Sequence, residues 1–234
     1  MKAIYKRELF AYFTSPIGYI VLAASLCLSG FLFGVLNLFT KSTSFLLFFS
    51  NLTLVFVLLV PLITMHLWAE ERKNKTDQLL LTTNVSVSSI ILGKYFACVT
   101  LLFINVVIML LYPFVISFFG TIIWSNALVL YLGYFLMGCA LLSVGLFVST
   151  MTESQIVSAI VSFAIILLLK LSDILSSAID IEFLSNGIKW FSLFSRFDSF
   201  IWGVIDISTL IYYITFAGLF IFLSVIFIQK KRWS

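Results

Sequence analysis

Six long apolar runs, separated by polar segments, organise the 234 residues of this chain. Each run is close to the ~20 residues that an α-helix needs to cross the hydrocarbon core of a bilayer, and the alternating pattern of a membrane-spanning strand is absent. The pattern therefore predicts a single all-α polytopic membrane domain over residues 1–234. Its six transmembrane helices are predicted at residues 17–38, 45–68, 95–118, 126–149, 156–174 and 207–229.

Two amphipathic segments add to this pattern. Residues 1–16 mix charged and aromatic side chains, which predicts a helix at the level of the lipid headgroups that ends near Pro16. Residues 171–206 are too polar for a span and too apolar for a free loop, and Asn186-Gly187 divides them. We expect this external segment to form two short interfacial or re-entrant helices before the last span. Lys170 just before it is either a headgroup anchor or a pathway residue.

The segment 70–94 is the only long polar interruption in the first half of the chain. Its charged residues favour water, yet three consecutive leucines follow them. One interpretation is a short cytoplasmic helix that inserts its leucines into the groove of a partner protein. The other is a charged hairpin whose leucines return to the membrane surface. The residues that carry the docking interpretation are Glu70, Glu71, Arg72, Thr76, Leu79, Leu80 and Leu81.

The first span contains the small-xxx-small pattern Gly30-Phe-Leu-Phe-Gly34. Two helices approach each other closely where such glycines lie on one face. The pattern predicts either a dimer interface between two membrane subunits or packing within one chain. Gly138 and Gly145 of the fourth span also share a face and favour close packing.

Composition and charge agree with the membrane assignment and orient it. Hydrophobic residues make up 62% of the chain and charged residues 10%, far from the composition of soluble domains. With six spans, basic residues collect on the side of both termini, which predicts that this side is cytoplasmic. The net charge of +4 then reflects topology and gives no indication of nucleic-acid binding. That side holds Lys2, Lys6, Arg7, Arg72, Lys73, Lys75, Lys94, Lys230, Lys231 and Arg232, and the other side holds Lys41, Lys170, Lys189 and Arg196.

Catalytic motifs are missing from the sequence. A P-loop requires Gly-Lys followed by Ser or Thr, whereas Gly93-Lys94 is followed by Tyr95. A single histidine, His66, does not make a metal site, and no nucleophile–base set is evident. We therefore expect a non-enzymatic chain without a cofactor of its own, which depends on a separate motor subunit for energy.

Four stretches resemble the permeases of ABC-2 type transporters, most closely their gliding-motility branch. The similarity extends over nearly the whole chain, and the sequence departs from the family at Asn84, where proline is common. The four stretches are KRELFAYFTSPIGYI, EERKNKTDQLLLTTNVSVSSIILGKYFA, STMTESQIVSAI and SLFSRFDSFIWGVIDISTLIYY.

The resemblance implies the membrane subunit of an ATP-driven exporter in a bacterial cytoplasmic membrane. Such a subunit pairs with a second permease, identical or related, and with two copies of an ATP-binding subunit that holds ATP and Mg²⁺. The region from Glu70 to Leu81 would be its coupling helix, which passes ATPase movements to the spans. A membrane scaffold or force-transmitting subunit that moves no cargo is the alternative function, and the sequence does not identify a substrate.

Overall fold

A computed structural model of the protein describes residues 1–73, 75–76, 85–178 and 192–233. Every regular element in these ranges is a helix. Six segments are long and apolar enough to cross a membrane, so the prediction of an all-α multi-pass membrane protein is confirmed. These spans are Pro16–Leu38, Leu46–Lys73, Val87–Ser117, Trp124–Met151, Gln155–Ser172 and Ile207–Lys231.

Helix boundaries within the spans refine this picture. The first span is an α-helix at Pro16–Phe33 with a π-helical turn at Gly34–Leu38. The second consists of Leu46–Thr64 and the short helix Ala69–Lys73, and the third of Val87–Met109 and Leu111–Ser117. The fourth helix is Trp124–Met151, the fifth Gln155–Ala178 and the sixth Ile207–Trp233. A separate N-terminal helix, Lys2–Thr14, precedes them.

The polar segment between the second and third spans is shorter than expected. The third span begins at Val87 instead of Tyr95, and helical structure after the second span continues to Lys73. Ser86 is extended and lies at the N-cap position, where serine is favoured. Lys94 therefore belongs to the third span, where it is fully buried, and not to the loop.

The fourth span occupies the centre of the bundle. It packs against the second, third, fifth and sixth spans. In its most apolar stretch, 67% of the residues are buried, compared with 17% in the fifth span and 22% in the first and sixth. Its glycines permit this position, since a Cβ added to Gly138 would lie 2.8 Å from Phe56 Cζ. A Cβ on Gly145 would similarly lie 3.0 Å from Thr64 Cβ. The predicted close packing of this face is thus confirmed within the chain.

Among the described residues, two short helical elements precede the last span, whereas their predicted interfacial or re-entrant placement stays a prediction. They are a 3-10 turn at Ser195–Phe197 and a helix at Asp198–Ile201. Phe197 and Phe200 are buried in the hydrophobic core, and a Cβ on Gly133 of the fourth span would collide with Phe200. This part of the external segment is therefore built into the bundle, while its predicted division at Asn186-Gly187 lies outside the described residues.

The side chain of Lys170 contacts other residues of the same chain. Its Nζ lies 3.3 Å from Thr53 Oγ1 and 4.6 Å from the centroid of the Phe194 ring. The ammonium thus connects the fifth span to the second span and to the segment before the sixth. Lys170 therefore makes contacts within the bundle that a headgroup anchor alone does not require. Its role in a pathway stays a prediction.

Charged residues from five parts of the chain meet at one end of the bundle, here called the charged end. Arg7 contacts Glu71, and Arg72 Nη1 donates to the carbonyl oxygen of Thr152 at 3.5 Å. Arg72 also lies 5.8 Å from the ring of Phe227, and Lys231 Nζ is 3.9 Å from Glu153. The N-terminal helix, the end of the second span, the turn before the fifth span and the end of the sixth span therefore share this end with Lys94.

Candidate functional site

The N-terminal helix is fixed against the third span at the charged end. Its buried residues are Ile4 and Tyr12, and a Cβ on Gly93 would lie 3.1 Å from Ile4 Cγ2, so glycine allows the close crossing. Tyr12 Oη donates a hydrogen bond of 2.7 Å to the carbonyl oxygen of Ile63 in the second span. Ser15 is extended before Pro16, which ends this helix and begins the first span.

A turn at residues 65–68 separates the two helices of the second span and exposes backbone groups for bonding. The backbone N–H groups of Trp68 and Ala69 donate to Ser149 Oγ of the fourth span at 3.1 and 3.4 Å. The carbonyl oxygen of Leu67, at the same turn, accepts a hydrogen bond from Lys94 Nζ at 2.6 Å. Unpaired groups at helix ends need such partners, and here neighbouring spans supply them.

Lys94 is the buried centre of a network of charges. Besides the carbonyl oxygen of Leu67, its Nζ contacts Glu8 Oε1 at 3.1 Å and Glu71 Oε1 at 3.0 Å. The indole ring of Trp68 lies 5.2 Å away and adds a cation–π contact. The contacts with the carbonyl oxygen of Leu67 and with Glu8 Oε1 are hydrogen bonds, and the contact with Glu71 Oε1 is an ion pair.

Arg7 completes the network from the surface side. Its Nη2 lies 2.6 Å from Glu8 Oε1 and 2.5 Å from Glu71 Oε1, the same two oxygens that Lys94 contacts. Partial burial opposes the charged form of Arg7, but the hydrogen bonds and charges of Glu8 and Glu71 outweigh it and raise the pKa of this guanidinium. Two cations and two carboxylates therefore balance in what we call the Lys94 network: Arg7, Glu8, Glu71 and Lys94.

This network joins three elements that are far apart in sequence. Glu8 belongs to the N-terminal helix, Glu71 to the short helix that ends the second span, and Lys94 to the third span. Removing one partner of a buried ion pair costs about 3–5 kcal/mol, because the remaining charge stays buried and uncompensated. The elements are thus held in one arrangement, and displacement of Ala69–Lys73 would pull on the N-terminal helix and the third span together.

A cavity of about 360 Å³ lies beside the network. The N-terminal helix and the start of the first span form one wall, and the residues around the turn at 65–68 form the other. Glu70 is half-exposed in this cavity, and its Oε2 lies 3.3 Å from His66 Nδ1, in a geometry that does not make a hydrogen bond. The polar lining residues are Arg7, Glu8, Tyr12, Ser15, His66, Glu70, Glu71, Thr76 and Lys94.

The predicted coupling residues fall partly inside this site. Glu70 and Glu71 line the cavity, and Arg72 bonds the turn before the fifth span. Thr76 Oγ1 donates to the carbonyl oxygen of Glu71 at 3.2 Å. Leu79, Leu80 and Leu81 lie outside the described residues, so their docking role stays a prediction.

The predicted dimer residues lie elsewhere, on the first span. A Cβ on Gly30 would lie 3.7 Å from Tyr112 Oη of the same chain, whereas a Cβ on Gly34 would meet no atom of the described residues within 4 Å. The neighbouring Ser29 Oγ bonds Tyr112 Oη at 2.8 Å, so this face of the first span partly packs against the third. Gly34 alone is therefore open for an approaching helix.

Arg7, Glu8 and Lys94 are the network residues that sequence reasoning did not single out as site residues. A signal for Lys94 exists in the stretch Ser86-Val87-Ser88-Ser89, because a helix capped at Ser86 carries Lys94 two turns inside it. No comparable signal marks Glu8, since its partner lies 86 positions away along the chain.

Comparison with known proteins assigns no family to this arrangement. No group of three metal-binding side chains occurs in the described parts of the chain. The chain matches no protein-family model, and no curated protein matches it.

Proposed function

We propose that the chain is the membrane-spanning permease subunit of an ATP-binding cassette exporter in a bacterial cytoplasmic membrane. ATP and Mg²⁺ would bind to two copies of a separate ATPase subunit, which dock on the segment Glu70 to Leu81. A second permease, identical or related, would pack against the first span near Gly30 and Gly34. Both termini would lie in the cytoplasm, on the ATPase side.

The observation that carries this proposal is the Lys94 network. A motor that acts from outside the membrane needs a rigid connection between its docking segment and the spans. Glu71 lies in that segment and is tied through Lys94 to the third span and through Arg7 and Glu8 to the N-terminal helix. The resemblance of four stretches to ABC-2 permeases and the missing P-loop support the same assignment.

The proposal is tested by replacing Leu79 and Leu80 with alanine and measuring binding of the ATP-binding subunit that the proposal assigns to this chain. Each well-buried leucine contributes about 1.5–3 kcal/mol, and ~1.4 kcal/mol corresponds to a tenfold change in affinity. We therefore expect the double variant to lose at least about tenfold in affinity while the permease stays monodisperse.

The matched control is Lys73→Ala, an exposed position on the same segment. Its effect should stay below ~1 kcal/mol, as for other exposed charges. Normal ATPase binding by the leucine variant, or a strong loss in the control alone, would assign docking to another surface.

A further inference from the structure

The cavity beside the Lys94 network has an excess of negative charge. Its ionisable lining comprises the carboxylates of Glu8, Glu70 and Glu71, the cations Arg7 and Lys94, and His66. Glu8 and Glu71 share their Oε1 atoms with both cations, whereas Glu70 contacts no cation among the described residues other than the nearby histidine ring. With neutral histidine, the lining therefore carries about one unpaired negative charge.

Acceptor atoms in this cavity also have unused bonding capacity. Glu71 Oε2 is buried without a hydrogen-bond partner in the described parts of the chain, although Glu71 Oε1 is fully engaged. Both ring nitrogens of His66 are likewise buried and unbonded there. Buried polar atoms in native proteins normally have partners, so a donor that reaches Glu70 and Glu71 would complete the site.

The chemistry of the lining selects the class of ligand. An anion would face three carboxylates, and both cations of the lining already contact Glu8 and Glu71. A metal ion finds no set of three ligands in the described residues. The carboxylate of Glu70, which has no cationic partner among the described residues, instead fits a guanidinium or ammonium group, since guanidinium in particular bonds both oxygens of a carboxylate at once.

We propose that this cavity binds a cationic side chain, an arginine or lysine, of the ATP-binding subunit, with Glu70 and Glu71 as its acceptors. This inference rests on the function proposed above and names the contact by which the partner engages the spans. The inserted cation would bond the free oxygen of Glu71 and so act directly on the Lys94 network. The carboxylates of Glu70 and Glu71 would then both bind the partner and pass its movement to the spans.

Glu70→Gln tests the proposal, because glutamine keeps the size of a half-exposed side chain that has no role in the network. We expect affinity for the ATPase subunit to fall by at least about tenfold, the loss typical of a hydrogen bond between charged groups. Binding by the natural chain should also weaken with rising salt, and the variant should show a smaller salt dependence. Glu153→Gln is the matched control, since Glu153 is exposed at the same end and should leave affinity unchanged.

The outcomes separate this inference from the proposed function. If the natural chain binds the ATPase and Glu70→Gln binds it equally well, the cationic contact is wrong and the permease assignment stands. If the natural chain binds no ATP-binding subunit, the cationic contact and the permease assignment are both wrong. If Glu70→Gln keeps ATPase affinity but loses thermal stabilisation by phosphatidylethanolamine in lipid nanodiscs, the cavity holds a lipid amine and the proposal is overturned.

Discussion

At the residue scale, Lys94 shows how a charge is accommodated at the edge of an apolar bundle. Its side chain is completely buried, yet it donates hydrogen bonds to the carbonyl oxygen of Leu67 and to Glu8 and forms an ion pair with Glu71. Arg7 neutralises the remaining negative charge, so the cluster as a whole is balanced. The desolvation cost of each ion is therefore offset only while all four members are present.

Replacing Lys94 with methionine tests this interdependence. Methionine fills similar space, but Glu8 and Glu71 would remain largely buried with Arg7 as their only cation. We expect the free energy of unfolding to fall by about 3–5 kcal/mol. Denaturant titration in mixed micelles measures that loss, and faster hydrogen exchange in Lys2–Thr14 would locate it.

Lys6→Met is the control for this substitution, because Lys6 is an exposed residue of the same N-terminal helix. Its unfolding free energy should change by less than ~1 kcal/mol. Equal stability of the two variants would mean that hydrophobic packing alone holds the N-terminal helix, and that the network contributes little.

At the scale of elements, hydropathy located all six spans but misplaced the ends of two. Because Glu71 and Lys94 are charged, the hydropathy pattern assigns both to a polar loop. It therefore ends the second span at Trp68 instead of Lys73 and begins the third span at Tyr95 instead of Val87. Each charge is in fact neutralised by a partner on another element, and burial follows from that pairing. Pairing across 86 positions is a property of the tertiary fold, so local pattern could not supply it.

Glycines illustrate the same limit. The pattern Gly30-x-x-x-Gly34 predicts a helix face suited to close approach, but it cannot say which neighbour approaches. Gly30 faces Tyr112 of its own chain, and only Gly34 is open. Isoleucine at Gly30 would therefore disturb folding as well as association, which makes Gly34 the cleaner position for testing a subunit interface.

Gly34→Ile is expected to weaken association of two permease subunits, because a branched side chain keeps the helices apart. Gly218→Ile is the matched control, since a Cβ on Gly218 in the sixth span also meets no atom within 4 Å. Subunit counting by photobleaching in liposomes measures the dimer fraction of each. If both variants dimerise as the natural chain does, the interface lies on a different face from the one predicted.

At the scale of the whole molecule, the bundle has two chemically different ends. The charged end gathers the Lys94 network, Arg72, Glu153 and Lys231. At the other end, Lys170 and Arg196 lie over the aromatic rings of Phe194 and Tyr212, and Gly203 adopts a φ of +73° against Asn126. The bundle is thus built to face two different environments, and the excess of basic residues near the charged end predicts that it faces the cytoplasm.

Accessibility labelling of single cysteines, in a variant whose native cysteines are replaced, tests this orientation. We expect cysteine at Thr43 or Val204 to react with an impermeant maleimide in intact cells, since both positions are exposed at the end opposite the charged end. Cysteine at Lys73 or Glu153, exposed at the charged end, should react only after permeabilisation. The reverse pattern would place the charged end outside the cell, where no ATP-binding subunit could reach the cavity beside Glu70, and the motor-driven function would fall with the orientation.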